Sequence, residues 1–248
     1  MLKMRGADEH AGKKQGRQSR FYRRFVLGFI LVMLIYGFFS GLFGYMWEER
    51  LDLYYLLQQH IYLVGISFTL ALLIGLFTGL FLSRGPLEKY QNLIMYFVGL
   101  GQTVPSLAVL ALSMTFLGVG SRPAVLALTV YSVLPIARNT LAGFNSVPPE
   151  LIDAGRGLGL SPLQILIHVE IPGAIPVIMA GIRMALVLNI GTAALGALIG
   201  AGGLGEQIFT GISFFNFNLI LSGALPVALL ALAADFFLRM IEEQFNSG

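Results

Sequence analysis

Read for polarity alone, the chain is a series of long apolar runs separated by short polar stretches. The runs fall at about 25–47, 60–82, 96–116, 124–137, 175–198 and 219–238. A helix of about 20 residues crosses a hydrocarbon core of about 30 Å. In lipid, a lone segment can satisfy its backbone only as a helix. The pattern therefore predicts an all-α polytopic membrane protein with about six transmembrane helices. The run 25–47 is too long for the apolar core of a signal peptide and has no clean A-x-A site, so it reads as a retained first span. Tyr45 and Trp47 close it at the far interface, as belt aromatics do.

Charge orients these spans. Residues 1–24 carry eight basic residues, from Lys3 to Arg24, against Asp8 and Glu9, and read as a polar cytoplasmic tail. Drawn with the tail inside, every Lys and Arg except Arg50 and Arg122 falls on the cytoplasmic side, Arg84, Lys89, Arg138, Arg156, Arg183 and Arg239 included. Both termini are then cytoplasmic, and so is the segment 148–172. Composition agrees: 56% of the 248 residues are hydrophobic and 12% are charged. The basic pI of about 9.3 comes largely from the tail and orients the chain in the membrane; it is no sign of nucleic-acid binding. With no cysteine there are no disulfides and no thiolate chemistry. His10, His60 and His168 lie too far apart to form one metal site, and no nucleophile–base set or carboxylate pair is placed for catalysis.

The stretch 150–172, ELIDAGRGLGLSPLQILIHVEIP, is the polar exception between spans four and five. Pro148 and Pro149 can open a helix over 150–157, and Gly157 and Gly159 can end it in a left-handed cap. Ser161 and Pro162 then restart it as N-cap and first helical residue. Leu163, Leu166 and Ile167 make one apolar stripe. Two short helices joined by a glycine hinge read as a docking surface, with Pro172 opening the next span.

Asp153-Ala154-Gly155, three residues, Gly159, nine residues, then Val169-x-Ile171-Pro172 resembles the EAA loop of ABC importer permeases. Aspartate stands here for the usual glutamate, and glycine for the second alanine. The resemblance implies the type I importer transmembrane fold over about 57–240, in a bacterial inner membrane, with the span at 25–47 as an addition. It also implies that Glu150, Asp153, Ala154, Gly155, Arg156, Gly159, Leu163 and Pro172 couple the chain to a cytoplasmic ATPase dimer. ATP and Mg would bind on that partner, and this chain would hold no cofactor of its own. The further implied partners are a second permease half, identical or homologous, and an extracytoplasmic substrate-binding protein.

Within the spans, Gln102 and Pro105 in the third and Asn189 in the fifth are candidates for the translocation path. Buried amides in lipid face the protein interior or an aqueous route, so helix-to-helix hydrogen bonding is the competing reading. Asp235 and Arg239 form an i, i+4 pair near the inner end of span six, and Arg183 is placed to reach Asp235 or Asp153. The run IGAGGLG at 199–205 lacks the GK[ST] ending of a phosphate loop. Gly202, Gly203 and Gly205 read instead as close packing or an outer gate.

The strings GQTVPSLAVLAL (101–112), PAVLALTVYSVLPIARNTLAGF (123–144) and NIGTAALGALIGAGGLGEQIFTGI (189–212) resemble the quaternary-amine branch of these permeases. That branch implies glycine betaine, choline or carnitine as cargo. Methionine or another small polar solute is the alternative within the class. An ion-coupled secondary transporter would need acidic or histidine relays inside the spans, and only Asp235, near a span's end, offers one.

Overall fold

The computed structural model describes residues 37, 40–84 and 89–246. The basic tail 1–24 and most of the run 25–47 lie outside the described residues. The chain divides into two compact units, 1–50 and 51–248, each described by itself. In the first, α1 (Leu42–Glu48) is entered through Gly41 at φ 74°. Arg50 closes it by donating to Trp47 O at 2.8 Å and stacking on the Trp47 ring at 5.1 Å.

The second unit is all helix and turn among the described residues. Among the described residues four helices are long and apolar enough to cross a membrane: α2 (Arg50–Leu82), α5 (Ser121–Asn145), a run from Pro162 to Ile199, and α10 (Phe217–Asn246). The expected third span is not one helix. It is split at Val104-Pro105 into α3 (Gln91–Thr103) and α4 (Ser106–Leu117). Proline pushes the residue before it out of the helical region, and Val104 lies at ψ 127°. The carbonyl this frees accepts from the Tyr131 hydroxyl. Residues 50–59, polar and mixed between the first two apolar runs, are also helical and form the first turns of α2, because a change of polarity does not end a helix that has no stop signal.

At the centre is α5, the most deeply buried of the long helices. Helices α2 and α8 (Ile171–Ala193) pack against it through small residues. A Cβ on Gly75 would lie 2.7 Å from Ile136 Cβ, and one on Gly143 would lie 2.9 Å from Ala174 O. Lipid supplies no hydrophobic drive between helices, so close backbone approach and dispersion hold such pairs together. The main apolar cluster joins Leu63 and Val64 of α2, Leu110 of α4, Ala127 and Leu128 of α5, and Ile190 of α8. Beyond α8 a 3₁₀ turn (Ala194–Ile199) and a glycine-rich loop lead to α9 (Gly205–Ser213), which folds back along the start of α10.

Candidate coupling site

The polar segment between α5 and α8 is built from local signals. Pro149 sits at the first position of α6 (Pro149–Gly157), with Glu150 in its first turn and Arg156 in its last. Both charges suit the helix dipole. The helix ends in a Schellman motif: Leu160 N–H donates to Gly155 O at 3.1 Å and Gly159 N–H to Arg156 O at 3.0 Å. Gly159 takes φ +78° at the αL position with open space around it, so the backbone angle alone calls for glycine. Ser161 and Gln164 then form a reciprocal capping box at the start of α7 (Pro162–Ile165), with bonds of 2.8 and 3.4 Å.

The two short helices fold onto each other through Gly155, which is buried, and Ile165. Outside this contact the segment is exposed. Leu151, Leu158 and Leu163 are 52, 82 and 63% accessible, an apolar surface of the kind that marks an interaction site. Asp153 accepts from Arg156 at 2.9 Å, and both side chains are largely in solvent, so the pair adds little stability and both groups remain available to a partner. Ala154 is exposed beside them.

Pro172 does not open a new element. Helix α7 runs through a π turn (Leu166–Glu170) directly into α8, with Pro172 just past that turn, where the regular ladder is already interrupted. The second helix of the segment is thus the end of a long span, a correction to the separate helix read from the sequence. The π turn also holds a contact that the sequence did not signal. Arg84, just past α2, is ion-paired with Glu170 and stacks on Phe144 of α5 at 5.5 Å. Partial burial lowers the Arg84 pKa by desolvation, yet guanidinium stays charged in proteins.

The path candidates divide. Gln102 lies in the last turn of α3 and Pro105 at the break that follows. Asn189 is fully buried, donates to Ser132 Oγ at 2.7 Å and accepts from Ser67 Oγ at 3.0 Å, linking α8 to α5 and α2. In the loop after α8, Gly203 (φ +88°) donates to Gln59 Oε1 at 2.9 Å. A Cβ on Gly202 would collide with Gln59, and one on Gly205 with Ala194 O. Arg183 reaches Asp235 at 3.5 Å and Glu242 at 3.4 Å, so of its two expected partners Asp235 is the one found. Among the described residues no group of three His, Asp or Glu could hold a metal.

Residues 71–246 match the family described as "Binding-protein-dependent transport system inner membrane component". The chain is 46% identical over 184 residues to the carnitine transport permease protein OpuCB of Listeria monocytogenes, covering 74% of this chain and 84% of that protein. It is 44% identical over 216 residues to the osmoprotectant import permease protein OsmY of Salmonella typhimurium, covering 86 and 92%. Among solved structures it resembles the MetNI methionine ABC transporter in an inward-facing crystal form. The TM-score there is 0.67 at 23% identity, over 78% of this chain and 95% of that one, a likeness of fold.

Proposed function

The chain belongs to the family of binding-protein-dependent inner-membrane transport components, and from that premise we propose that it is the permease subunit of an ATP-driven importer of quaternary-amine osmoprotectants. It forms half of the translocation pore, and its termini and the segment 148–172 lie on the cytoplasmic side. The observation that carries this reading is the geometry of residues 149–165: two short helices folded on Gly155, closed by a Schellman turn and a capping box, with leucines exposed. Such a surface suits insertion into a cleft of a cytoplasmic ATPase subunit. Because the segment continues into α8 without a break, closure of an ATPase dimer around Mg-ATP moves a membrane helix directly. Rigid-body motion of this kind is a standard switching mode.

The cargo follows the relatives' names and the strings at 101–112, 123–144 and 189–212. A quaternary ammonium donates no hydrogen bond and is held by aromatic faces, at up to about 2 kcal/mol or more when desolvated. Selectivity then sits best in a separate extracytoplasmic binding protein, because a tight cage in the pore would slow release.

The test is ligand-stimulated ATPase activity in proteoliposomes containing this chain, its ATPase subunit, any second permease half and the cognate binding protein. Stimulation by betaine- or carnitine-loaded binding protein, lost in Gly159→Asp, supports both cargo and coupling role. Stimulation by a methionine-loaded protein replaces the cargo. Transport driven by an ion gradient without ATP overturns the reading.

A further inference from the structure

The coupling segment is joined covalently to α5 and α8, yet α2, the longest element ending at the same face, has no chain connection to it. Among the described residues, the Arg84 side chain makes that link. Arg84 stands two residues beyond the end of α2, pairs with Glu170 and lies over the Phe144 ring at the inner end of α5. The Glu170 side chain is only 14% accessible, and a carboxylate so far withdrawn from water is retained where a partner holds it. It closes the π turn, where the extra residue per turn rotates the helix beyond it by roughly 100° relative to an uninterrupted α-helix. Leu163 before the turn and Ile167 early in it are exposed, whereas Val169 and Glu170 at its end are partly covered.

We propose that the Arg84–Glu170 pair, seated on Phe144, is the strut that carries displacement of the coupling segment into α2 and α5. Without it, ATP hydrolysis continues while less solute moves per ATP. Arg84 and Glu170 are positioning residues in this account. The proposal rests on the permease reading above and adds to it the route of transmission within the chain. The exposed surface at 149–165 does the docking, and the strut works one turn further into the membrane domain.

The experiment uses the reconstituted complex with Arg84→Gln, Glu170→Gln, the double neutral variant, and the swap Arg84→Glu with Glu170→Arg. Three quantities are read: co-purification of the ATPase subunit, ligand-stimulated hydrolysis, and solute taken up per ATP. Either single variant leaves one charge unpaired and can fail to fold for that reason alone; the double neutral variant leaves none. Coupling between sites commonly amounts to about 5- to 150-fold. The expected result is an ATPase subunit that co-purifies, hydrolysis near that of the unaltered chain, and uptake per ATP down about tenfold in the double neutral variant. The swap restores most of that loss, short of full recovery because its carboxylate cannot stack on Phe144 as a cation does. Unchanged uptake per ATP in the double neutral variant overturns the proposal. So does a swap no better than the double neutral, or loss of the ATPase subunit from the variants, which would make the pair part of the docking surface. If the unaltered chain neither retains an ATPase subunit nor transports with ATP, the permease reading itself fails and the strut with it.

Discussion

Replacing Asn189 with leucine removes one buried amide while keeping the same branched skeleton of heavy atoms. The amide bridges three helices: it donates to Ser132 Oγ at 2.7 Å and more weakly to Leu128 O at 3.5 Å, and accepts from Ser67 Oγ at 3.0 Å. Interhelical hydrogen bonds in membrane proteins average about 0.6 kcal/mol and reach about 1.7. Loss of the two shorter bonds therefore destabilises by about 1 kcal/mol, with a ceiling near about 3 kcal/mol. The ceiling will not be reached on the α2 side, because Ser67 also donates to Leu63 O at 2.7 Å and is left with a partner. For a chain of this size about 1 kcal/mol lowers Tm by about 2–4 °C. The assay is thermal unfolding of the purified complex, run beside uptake kinetics for the solute. The expected result is a Tm lower by that amount with KM unchanged. An unchanged Tm with a raised KM, or with uptake abolished, would refute the interhelical assignment and put the amide on the solute path.

Three further outcomes can be checked in the same preparations. Gly155→Ala should raise stability by about 0.5–1 kcal/mol with docking intact, since glycine is unfavourable inside a helix and the added methyl would meet Ile165 Cγ1 at an ordinary 3.4 Å; loss of ATPase co-purification would contradict this. Gly181→Leu should prevent α5 and α8 from packing, because even a Cβ there collides with Asn139 and lies 2.9 Å from Pro135 O; the yield of folded protein after detergent extraction reads this out, and a normal yield would show that the helices can separate. Arg183→Gln removes both ion pairs to α10, at Asp235 and Glu242, and on the scale of partly exposed ion pairs should cost about 0.5–1 kcal/mol. Salt titration of Tm checks it, since the unaltered chain should lose stability with added salt and the variant should not.

Much of this was legible in the chain because the signals were local. Proline at the start of α6, glycine at its αL cap, and serine followed three residues later by glutamine at the next start each act within one turn, and each sits where its chemistry puts it. Among the described residues polarity placed the apolar elements in order but not their ends or their continuity: α2 begins at Arg50 and takes in a polar stretch, and the third run is two helices. Prolines 105, 135, 176 and 226 look alike in sequence, yet only the first interrupts its helix. At that break Tyr131 is on hand to take the freed carbonyl, and it lies 27 residues away. The Arg84–Glu170 pair and the Asn189 bridges join positions 57 to 122 residues apart. No spacing rule reaches that far, and Arg84 shows in sequence only as a charge at a membrane edge. The π turn has no signature at all, since Leu166–Glu170 reads as ordinary helix.

The continuity of Pro162–Ile199 has a mechanical consequence. Its 38 residues make a rod roughly 57 Å long at 1.5 Å per residue, with the exposed Leu163 at one end and the glycine loop held by Gln59 at the other. A rod has gearing where a jointed chain has slack. If it pivots near one end, a tilt of roughly 10° sweeps the far end through roughly 10 Å, the width of a helix with its side chains. A small angular step imposed at the Leu163 end would then be enough to clear a passage at the opposite surface, and the pivot's position along the rod would set how the travel is shared between the two faces.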